Sequence, residues 1–371
     1  MTNTQQLTTT PFHAYHLDHG AKMVDFASWE MPLHYGSIID EHLQVRKSGG
    51  LFDVSHMGRL RFTGKDACKA LDRLCTRQIL GMQDGQIRYS IVCNTDGGCR
   101  DDVLVYKIKD CEYLMVCNGA NREKILKHIE SNRGDFIFKL KDETESTAMI
   151  ALQGPKVMDL LSKVSSEIPN LKRYRFETKN LLIAKLLISR TGYTGEDGVE
   201  VILPAKFANK AVEMMLKNMD DPTIIMPTGL GARDSLRLEA GMPLYGHELA
   251  EDIDPLSAGL KFAVKLDKGA GENEAEPFIG QEALQKIAEH GSGKKLVGLT
   301  LEGKRSPRQQ MRVLCDDTDI GFVTSGCLSP TFGHPIAMAY IASDFEGDAV
   351  SIDFGKQQLP AMIVPLPFYK K

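Results

Sequence analysis

The 371-residue chain lacks the features that mark several large classes of protein. Its formal net charge is −4 and it has no long run of lysine or arginine, so the electrostatic footprint of a nucleic-acid-binding protein is missing. Every apolar run is much shorter than the roughly 18 residues that indicate a membrane span. The first 26 residues contain neither an apolar signal core nor an arginine-rich amphipathic stretch. We therefore expect a cytoplasmic protein that binds neither nucleic acid nor membrane.

Metal and disulfide signatures are also absent. The eight cysteines form no CxxC pair and match no zinc spacing, so we predict free, mostly buried thiols. His13, His16 and His19 are three residues apart, but we predict a mobile N-terminal segment there and no metal site. His56 has no evident paired nucleophile and is interpreted as structural or pocket-lining. No GxSxG, HExxH or P-loop motif occurs.

The chain does carry enough apolar residues, 42%, for more than one packed core, and its length suggests two or three domains. Residues 54–140 alternate short strands and helices, which predicts one mixed antiparallel unit. Residues 146–270 alternate again, with a hairpin over 181–203 and a helix in LGARDSLRLEAG (230–241) that is stopped at Gly241. The C-terminal part is strand-like and predicts a small β-barrel or sandwich. The fold class is therefore α+β.

An Asp-Asp pair begins the predicted strand 101–108. With a period of two, Asp102 shares a face with Leu104 and Tyr106, while Asp101 faces the other side. A carboxylate between an apolar and an aromatic side chain could orient a nucleophilic nitrogen and take part in its proton transfers. The alternative is that both aspartates merely begin the strand after the preceding turn.

Two further charged side chains could line a cavity. Glu200 alternates with apolar residues on a predicted strand, and its carboxylate could accept two hydrogen bonds from an amidine-like ring edge such as that of a pterin. The alternative for Glu200 is simple solvent exposure. Arg233 and Arg237 share a helical face near a helix N-terminus, an arrangement that suits an anion. The alternative is that Arg237 pairs with Glu239 or Glu248 on the surface.

Six strings together resemble one family in their order and spacing. They are GAKMVDFASWEMPLHYGS (20–37), FDVSHMG (52–58), GGCRDDVLVY (97–106), RTGYTGEDGVE (190–200), LGARDSLRLEAGMPLYG (230–246) and TSGCLSPTFG (324–333). The chain resembles the glycine cleavage T-protein family from about Pro11 to Phe368. Each string alone would only suggest this family, whereas six strings in the same order and with similar spacing are highly specific for it.

The resemblance implies a three-domain ring around a central folate channel, with a jelly-roll-like C-terminal β-barrel. The domains would be a discontinuous folate-binding domain over 1–53 and 141–270, a mixed antiparallel α+β domain over 54–140, and a barrel over 278–371. The implied enzyme is an aminomethyltransferase of the glycine cleavage system, with tetrahydrofolate as co-substrate. Its partner would be the lipoyl H-protein, which delivers an aminomethyl group; the products would be ammonia and 5,10-methylenetetrahydrofolate.

The resemblance also implies roles for individual residues. Asp102 would be the catalytic carboxylate beside the reactive folate nitrogen, Glu200 would bind the pterin, and Arg233 would contact the folate. The remaining implied pocket positions are Tyr89, Tyr106, Asn118 and Tyr193. Some family members have a C-terminal arginine that helps to hold the folate tail. Here only Lys370 and Lys371 follow PFY, and lysine lacks the bidentate fork of arginine.

Two rival functions share this fold. A folate-dependent demethylase would keep the folate contacts but take its one-carbon unit from a small methylated substrate. A folate-binding protein without turnover, like the iron–sulfur assembly relatives, would carry a KGCYxGQE-type cysteine motif. This sequence has no such motif, so the aminomethyltransferase is the preferred hypothesis.

Overall fold

The computed structural model describes residues 6–163, 165–181, 184–217, 221, 223–271 and 274–371. The start of the predicted N-terminal segment, residues 1–5, lies outside the described residues. The helices are α1 His13–Asp18, α2 Ile38–Lys47, α3 Ala67–Leu74, α4 Arg122–Ser131, α5 Val157–Ser162, α6 Ala208–Lys217, α7 Leu230–Glu239 and α8 Gln281–His290. Single 3-10 turns lie at Gly119–Asn121, Ile168–Asn170, Ala205–Phe207 and Lys261–Ala263.

The strands alternate with these helices along most of the chain. They are β1 Thr8–Thr9, β2 Lys22–Phe26, β3 Trp29–His34, β4 Gly50–Asp53, β5 Gly58–Thr63, β6 Ile87–Cys93, β7 Cys99–Lys109, β8 Glu112–Cys117, β9 Lys139–Asp142, β10 Thr147–Gln153, β11 Phe176–Leu181, β12 Ala184–Ser189, β13 Gly198–Pro204, β14 Met226–Pro227, β15 Lys294–Leu301, β16 Arg312–Cys315, β17 Thr318–Leu328, β18 Pro335–Ala342, β19 Ala349–Asp353 and β20 Gln358–Val364. The mixed helix and strand content agrees with the predicted class. No helix in the described part of the chain is long and apolar enough to cross a membrane.

The N-terminal segment is held against the rest of the protein, so the prediction that it is mobile was wrong for the described residues. Helix α1 buries His16 completely. The Nε2 atom of His16 lies 3.0 Å from Asp53 Oδ2, and its Nδ1 atom lies 2.8 Å from the Tyr35 hydroxyl. The histidine spacing therefore reflects packing of a short helix.

A six-stranded sheet in the order β11-β12-β13-β10-β4-β14 forms the largest open sheet. The predicted hairpin is observed as antiparallel β12 and β13, with residues 182–183 outside the described part. Val199 and Leu203 on β13 pack into one core, whereas Ile202 packs into another on the opposite face. Because both faces are covered, Glu200 is buried rather than exposed to solvent.

A five-stranded antiparallel sheet, in the order β6-β7-β8-β5-β9, contains the Asp-Asp pair. In the register of β6 with β7, Tyr89 lies opposite Leu104 and Ile91 lies opposite Asp102. Tyr89 is therefore the diagonal neighbour of Asp102 on one sheet face. The limits of the three predicted domains remain a prediction.

The C-terminal strands close into a barrel in the order β15-β18-β17-β16-β19-β20. This confirms the predicted barrel, although it has six described strands, fewer than the eight in two sheets of a jelly roll. The C-terminal strands predicted from the sequence are KLVGLTL, GFVTSG, IAMAYIA, AVSIDF and PAMIVPLPF. They do not include strand β16, which is only 4 residues long. The core of the barrel includes Leu299, Val323 and Ile352, which are buried inside the closed ring of strands.

Candidate functional site

A cavity of about 320 Å³ is bounded by the five-stranded sheet, strand β13, helix α7 and the segment that follows α7. That volume is in the range of small-molecule sites. Much of the wall is apolar or aromatic, including Met57, Leu104 and Phe262. Six of the seven predicted site residues line it: Tyr89, Asp102, Asn118, Tyr193, Glu200 and Arg233. The structure thus brings together side chains that are up to 144 positions apart (89 to 233) in the chain.

Asp102 is fixed by two neutral donors. Its Oδ1 accepts a hydrogen bond from Asn118 Nδ2 at 2.8 Å, and its Oδ2 accepts one from the Tyr89 hydroxyl at 3.2 Å. Burial raises the pKa of Asp102, while these two hydrogen bonds partly oppose the rise. The result is an oriented carboxylate on the cavity wall that can exchange a proton more readily than a solvated aspartate.

Asp101 points away from the cavity and is fully buried. Its Oδ1 accepts from the side-chain amides of Asn118 at 2.8 Å and Asn121 at 2.6 Å, and its Oδ2 accepts from the backbone N–H of Asn118 at 3.0 Å. Burial, and then the charge of Asp102, raise the pKa of Asp101 to about 8. Because Asn118 Nδ2 donates to both carboxylates, the two aspartates act as one coupled acidic pair. The spacing of the two aspartates in the sequence does not predict this coupling.

Glu200 lines the same cavity from the other sheet, on β13. Its Oε2 accepts a hydrogen bond from Thr191 Oγ1 at 2.5 Å, and burial raises its pKa. A chain of hydroxyls continues behind it: Thr191 Oγ1 lies 2.8 Å from Ser189 Oγ, which accepts from the Tyr106 hydroxyl at 3.3 Å. This arrangement holds one carboxylate oxygen in place and leaves the group directed at the cavity.

Tyr106 is the predicted site residue that does not line the cavity. It is completely buried, and its ring centroid lies 5.4 Å from that of Phe176. Strand β7 runs past the cavity into the core between the two sheets, where Tyr106 packs near Phe52 and Ile202. Leu104, on the same strand face, is the cavity-lining residue instead. Tyr106 therefore supports Glu200 from behind, through Ser189 and Thr191.

Arg233 brings positive charge to the cavity from the first turn of α7. Its Nη1 atom is buried and has no hydrogen-bond partner within the described residues. Its guanidinium carbon lies 4.9 Å from the centroid of the Tyr193 ring, whose hydroxyl donates to the Pro243 carbonyl at 2.5 Å. Burial lowers the pKa of Arg233, and the nearby charge of Glu200 opposes this. A buried donor without a partner costs free energy, which a ligand acceptor would recover.

Arg237, one turn further along α7, has a structural role. Its Nη1 lies 2.8 Å from Glu248 Oε2, its Nε 2.8 Å from Asp234 Oδ1, and its Nη2 donates to Ser325 Oγ at 2.8 Å. The alternative interpretation, pairing with Glu239 or Glu248, is observed for Glu248, but in the interior and not on the surface, since Arg237 is 1% exposed. The contact with Ser325 ties α7 to strand β17 of the barrel.

A second cavity of about 340 Å³ adjoins the first. Their common wall consists of Met57, Asn118, Tyr193, Arg233, Leu244 and Tyr245. The second cavity is largely apolar and is lined by His56, whose buried Nδ1 has no partner among the described residues. Burial lowers the pKa of His56 to about 4, so this ring is neutral at pH 7. The two cavities are therefore neighbours along a wall that includes Asn118.

Among the described residues, neither thiols nor metal ligands cluster at the site. All eight cysteines are free, as predicted, and Cys75, Cys93, Cys99 and Cys117 are buried. The described part of the chain has no group of three or more His, Cys, Asp or Glu side chains arranged to hold a metal ion. The ionisable groups of the cavity are thus carboxylates, tyrosines and one guanidinium.

The sequence matches two family models that together span most of the chain. Residues 12–268 match the GCVT N-terminal domain, and residues 294–370 match the glycine cleavage T-protein C-terminal barrel domain. The chain belongs to the glycine cleavage T-protein family. The family predicted from the six strings is thereby confirmed.

Relatives of this T-protein family support the same assignment over nearly the full length. An aminomethyltransferase of Rubrobacter xylanophilus is 44% identical over 366 residues, covering 98% of this chain and 95% of the relative. One of Caldanaerobacter subterraneus is 42% identical over 369 residues, with 98% and 96% coverage. The crystal structure of glycine cleavage system aminomethyltransferase T from Bartonella henselae superimposes with a TM-score of 0.89 at 30% identity, covering 98% of each chain. The predicted enzyme class, an aminomethyltransferase of the glycine cleavage system, is confirmed.

Proposed function

We propose that the cavity between Glu200 and Asp102 binds tetrahydrofolate and that the enzyme transfers to it the methylene carbon of an aminomethyl group carried by the lipoyl H-protein. The products are ammonia, 5,10-methylenetetrahydrofolate and reduced lipoyl H-protein. The observation that carries this proposal is one cavity lined by two oriented carboxylates from different sheets and by a buried guanidinium nitrogen that has no hydrogen-bond partner among the described residues. Family membership supplies the reaction, and the cavity supplies the assignments of residues.

Glu200 fits the pterin edge. A carboxylate can accept two parallel hydrogen bonds, and a pterin ring presents an amidine-like pair of N–H donors. The Glu200 carboxylate is held by Thr191 and buried, so that its hydrogen bonds to a ligand would be formed away from bulk water. The Arg233 Nη1 atom can donate to an acceptor on the same ligand, and the Tyr193 ring beneath it offers an aromatic face.

Asp102 fits the reactive nitrogen. In the transfer, two C–N bonds form to the folate while the bonds from carbon to the amine and to the lipoyl sulfur break. The two protons that the folate nitrogens lose leave on ammonia and on the lipoyl thiol. Asp102 is the cavity carboxylate that can take a proton from a folate nitrogen and pass it on, because Tyr89 and Asn118 hold it and burial raises its pKa.

The second cavity offers a route for the aminomethyl-lipoyl arm. Its apolar lining, including Val24 and Phe26, suits the aliphatic part of a lipoyl group. It meets the first cavity at Asn118, so a carbon carried along it would arrive beside Asp102. In this proposal the two cavities together form the central channel of the predicted three-domain ring. The cytoplasmic location of the protein stays a prediction.

The proposal is tested by mixing the protein with aminomethyl-loaded H-protein and tetrahydrofolate and measuring ammonia release. We expect release that requires both reactants and continues over many turnovers. Sarcosine and dimethylglycine serve as donors for the demethylase alternative. Transfer of the methyl group from either amine to tetrahydrofolate, which releases the demethylated amine and needs no oxidant, would favour the demethylase and contradict the proposal if it occurred without H-protein.

A further inference from the structure

A separate cavity of about 570 Å³ beside the candidate site is strongly basic. The cationic side chains that line it are Arg77, Arg88, Arg173, Arg175 and Lys265. Within the described part of the chain, the hydrogen-bond partners of these side chains are neutral: Arg88 donates to the Gln78 carbonyl, and Arg175 Nη2 donates to Gln83 Oε1 at 3.1 Å. No aspartate or glutamate is among the described residues that line this cavity.

The cationic groups of this basic cavity repel one another. Burial, and then the neighbouring charge of Arg77, lower the pKa of Arg88. The charge of Asp72 partly opposes this lowering. Clustered like charges are unfavourable, and an anion placed among them relieves the remaining repulsion. Guanidinium groups also bind carboxylates in a bidentate manner. The basic cavity is therefore suited to a ligand with several carboxylates.

The basic cavity is continuous in its wall with the candidate site. Tyr174 and Phe262 line both cavities, and their exposed fractions are 49% and 64%. The Phe262 ring lies 5.9 Å from the ring of Tyr89 in a stacked arrangement, and Tyr89 donates to Asp102. A ligand that extends past Asp102 along these aromatic rings would reach the basic cavity.

We propose that the basic cavity binds the oligo-γ-glutamyl tail of a reduced folate whose pterin occupies the candidate site. The inference rests on the proposed function, because it places the reactive folate nitrogen beside Asp102 and Tyr89. Each added γ-linked glutamate brings one more carboxylate, so the cavity offers most to a folate with several of them. The lysine at the C-terminus is engaged elsewhere, since Lys371 Nζ lies 3.0 Å from Glu196 Oε2.

The test compares binding of the mono- and triglutamate forms of 5-methyltetrahydrofolate by calorimetry. For the wild type we expect the triglutamate to bind about tenfold more tightly at low ionic strength, with a smaller difference at high salt. The double variant Arg77→Gln/Arg173→Gln should bring the ratio of the two affinities close to one. The double variant Lys69→Gln/Lys210→Gln removes the same charge from exposed positions outside the cavity and should keep the wild-type ratio.

Several results would overturn the tail site. They are equal affinity of wild type for the two folates, an unchanged ratio in the arginine variant, and an equal loss of preference in the lysine control. A raised KM for H-protein in the arginine variant, with the folate ratio intact, would show that an acidic protein surface uses the cavity instead. If wild type bound neither folate, the proposed function would fail too. Should the arginine variant not fold, Lys265→Gln carries the same test.

Discussion

Replacing Asp102 by asparagine separates the charge of this side chain from its shape. The asparagine oxygen can still accept from Asn118 Nδ2, and its amide can donate to the Tyr89 hydroxyl, so both contacts at 2.8 and 3.2 Å can be retained. The cavity wall should therefore keep its form. What is lost is the ability to take a proton from the folate nitrogen.

The expected magnitude follows from that separation. Proton transfer by a positioned side chain contributes on the order of 10²–10⁴-fold to a rate, so kcat should fall by at least about 100-fold. The dissociation constant for tetrahydrofolate should change by less than about threefold, since the neighbouring hydrogen bonds persist. Thermal stability should be equal or higher, because the substitution removes a charge close to Asp101.

The assay measures ammonia release at saturating aminomethyl-loaded H-protein and saturating tetrahydrofolate, with folate binding measured in parallel by calorimetry. Asp135→Asn is the matched control, since it makes the same chemical change at an exposed position outside both cavities and should leave kcat unchanged. A wild-type kcat in Asp102→Asn would refute the proposed proton transfer. Loss of folate binding together with activity would show that Asp102 holds the substrate instead.

Three further substitutions test other parts of the account. Glu200→Gln should weaken tetrahydrofolate binding by about 10- to 100-fold, which corresponds to the loss of one charge-assisted hydrogen bond. An unchanged affinity, measured by calorimetry, would contradict the assignment of Glu200 to the pterin. The pKa of Asp101 is about 8 in the folded protein, against an ordinary value of 3.8, so between these pH values the folded state binds more protons than the unfolded state and stability falls as pH rises. The variant Asp101→Asn should therefore show a smaller decline of Tm over this pH range. A dependence of Tm on pH equal to that of the wild type would argue against the raised pKa. Arg237→Met should destabilise the protein by about 3–5 kcal/mol in urea unfolding, because it leaves Glu248 buried without its cation. A near-neutral effect would show that this buried ion pair does not stabilise the fold.

Sequence periodicity predicted the strand that carries Asp102 and which of its side chains share a face, but not which of those side chains line the cavity. It placed Asp102 on the same face as Leu104 and Tyr106, and that face is observed. A period of two gives the side of a strand, whereas the point at which a cavity ends depends on what packs above it. For this reason Leu104 lines the cavity while Tyr106 is enclosed between two sheets.

The coupling of Asp101 to Asp102 could not be predicted from sequence because Asn118 joins them through the pairing of β7 with β8. Asn118 is 16 residues beyond Asp102, and its amide reaches both carboxylates only after the two strands have paired. The interior position of Arg237 could not be predicted from sequence for the same reason. One of its hydrogen-bond partners, Ser325, is 88 residues away in the chain.

Local patterns were sufficient for longer elements and failed for short ones. Helix α7 was predicted over its full length, and it ends before Gly241, whose φ of +62° favours glycine. Strand β16 was missed because it has only 4 residues and is followed by Asp316 and Asp317, both with positive φ. Strand β16 forms because it pairs with β17 on one side and β19 on the other within the closed barrel. A short window of sequence does not contain both of these partners.

The central claim is that one cavity holds a pteridine between Glu200 and Asp102, and a crystal structure of the complex with a reduced folate tests it most directly. We expect the pteridine edge within hydrogen-bond distance of the Glu200 carboxylate, an acceptor of the ligand on Arg233 Nη1, and a reactive folate nitrogen within reach of Asp102. A ligand bound elsewhere, or an Asp102 side chain turned away from the folate, would contradict the account.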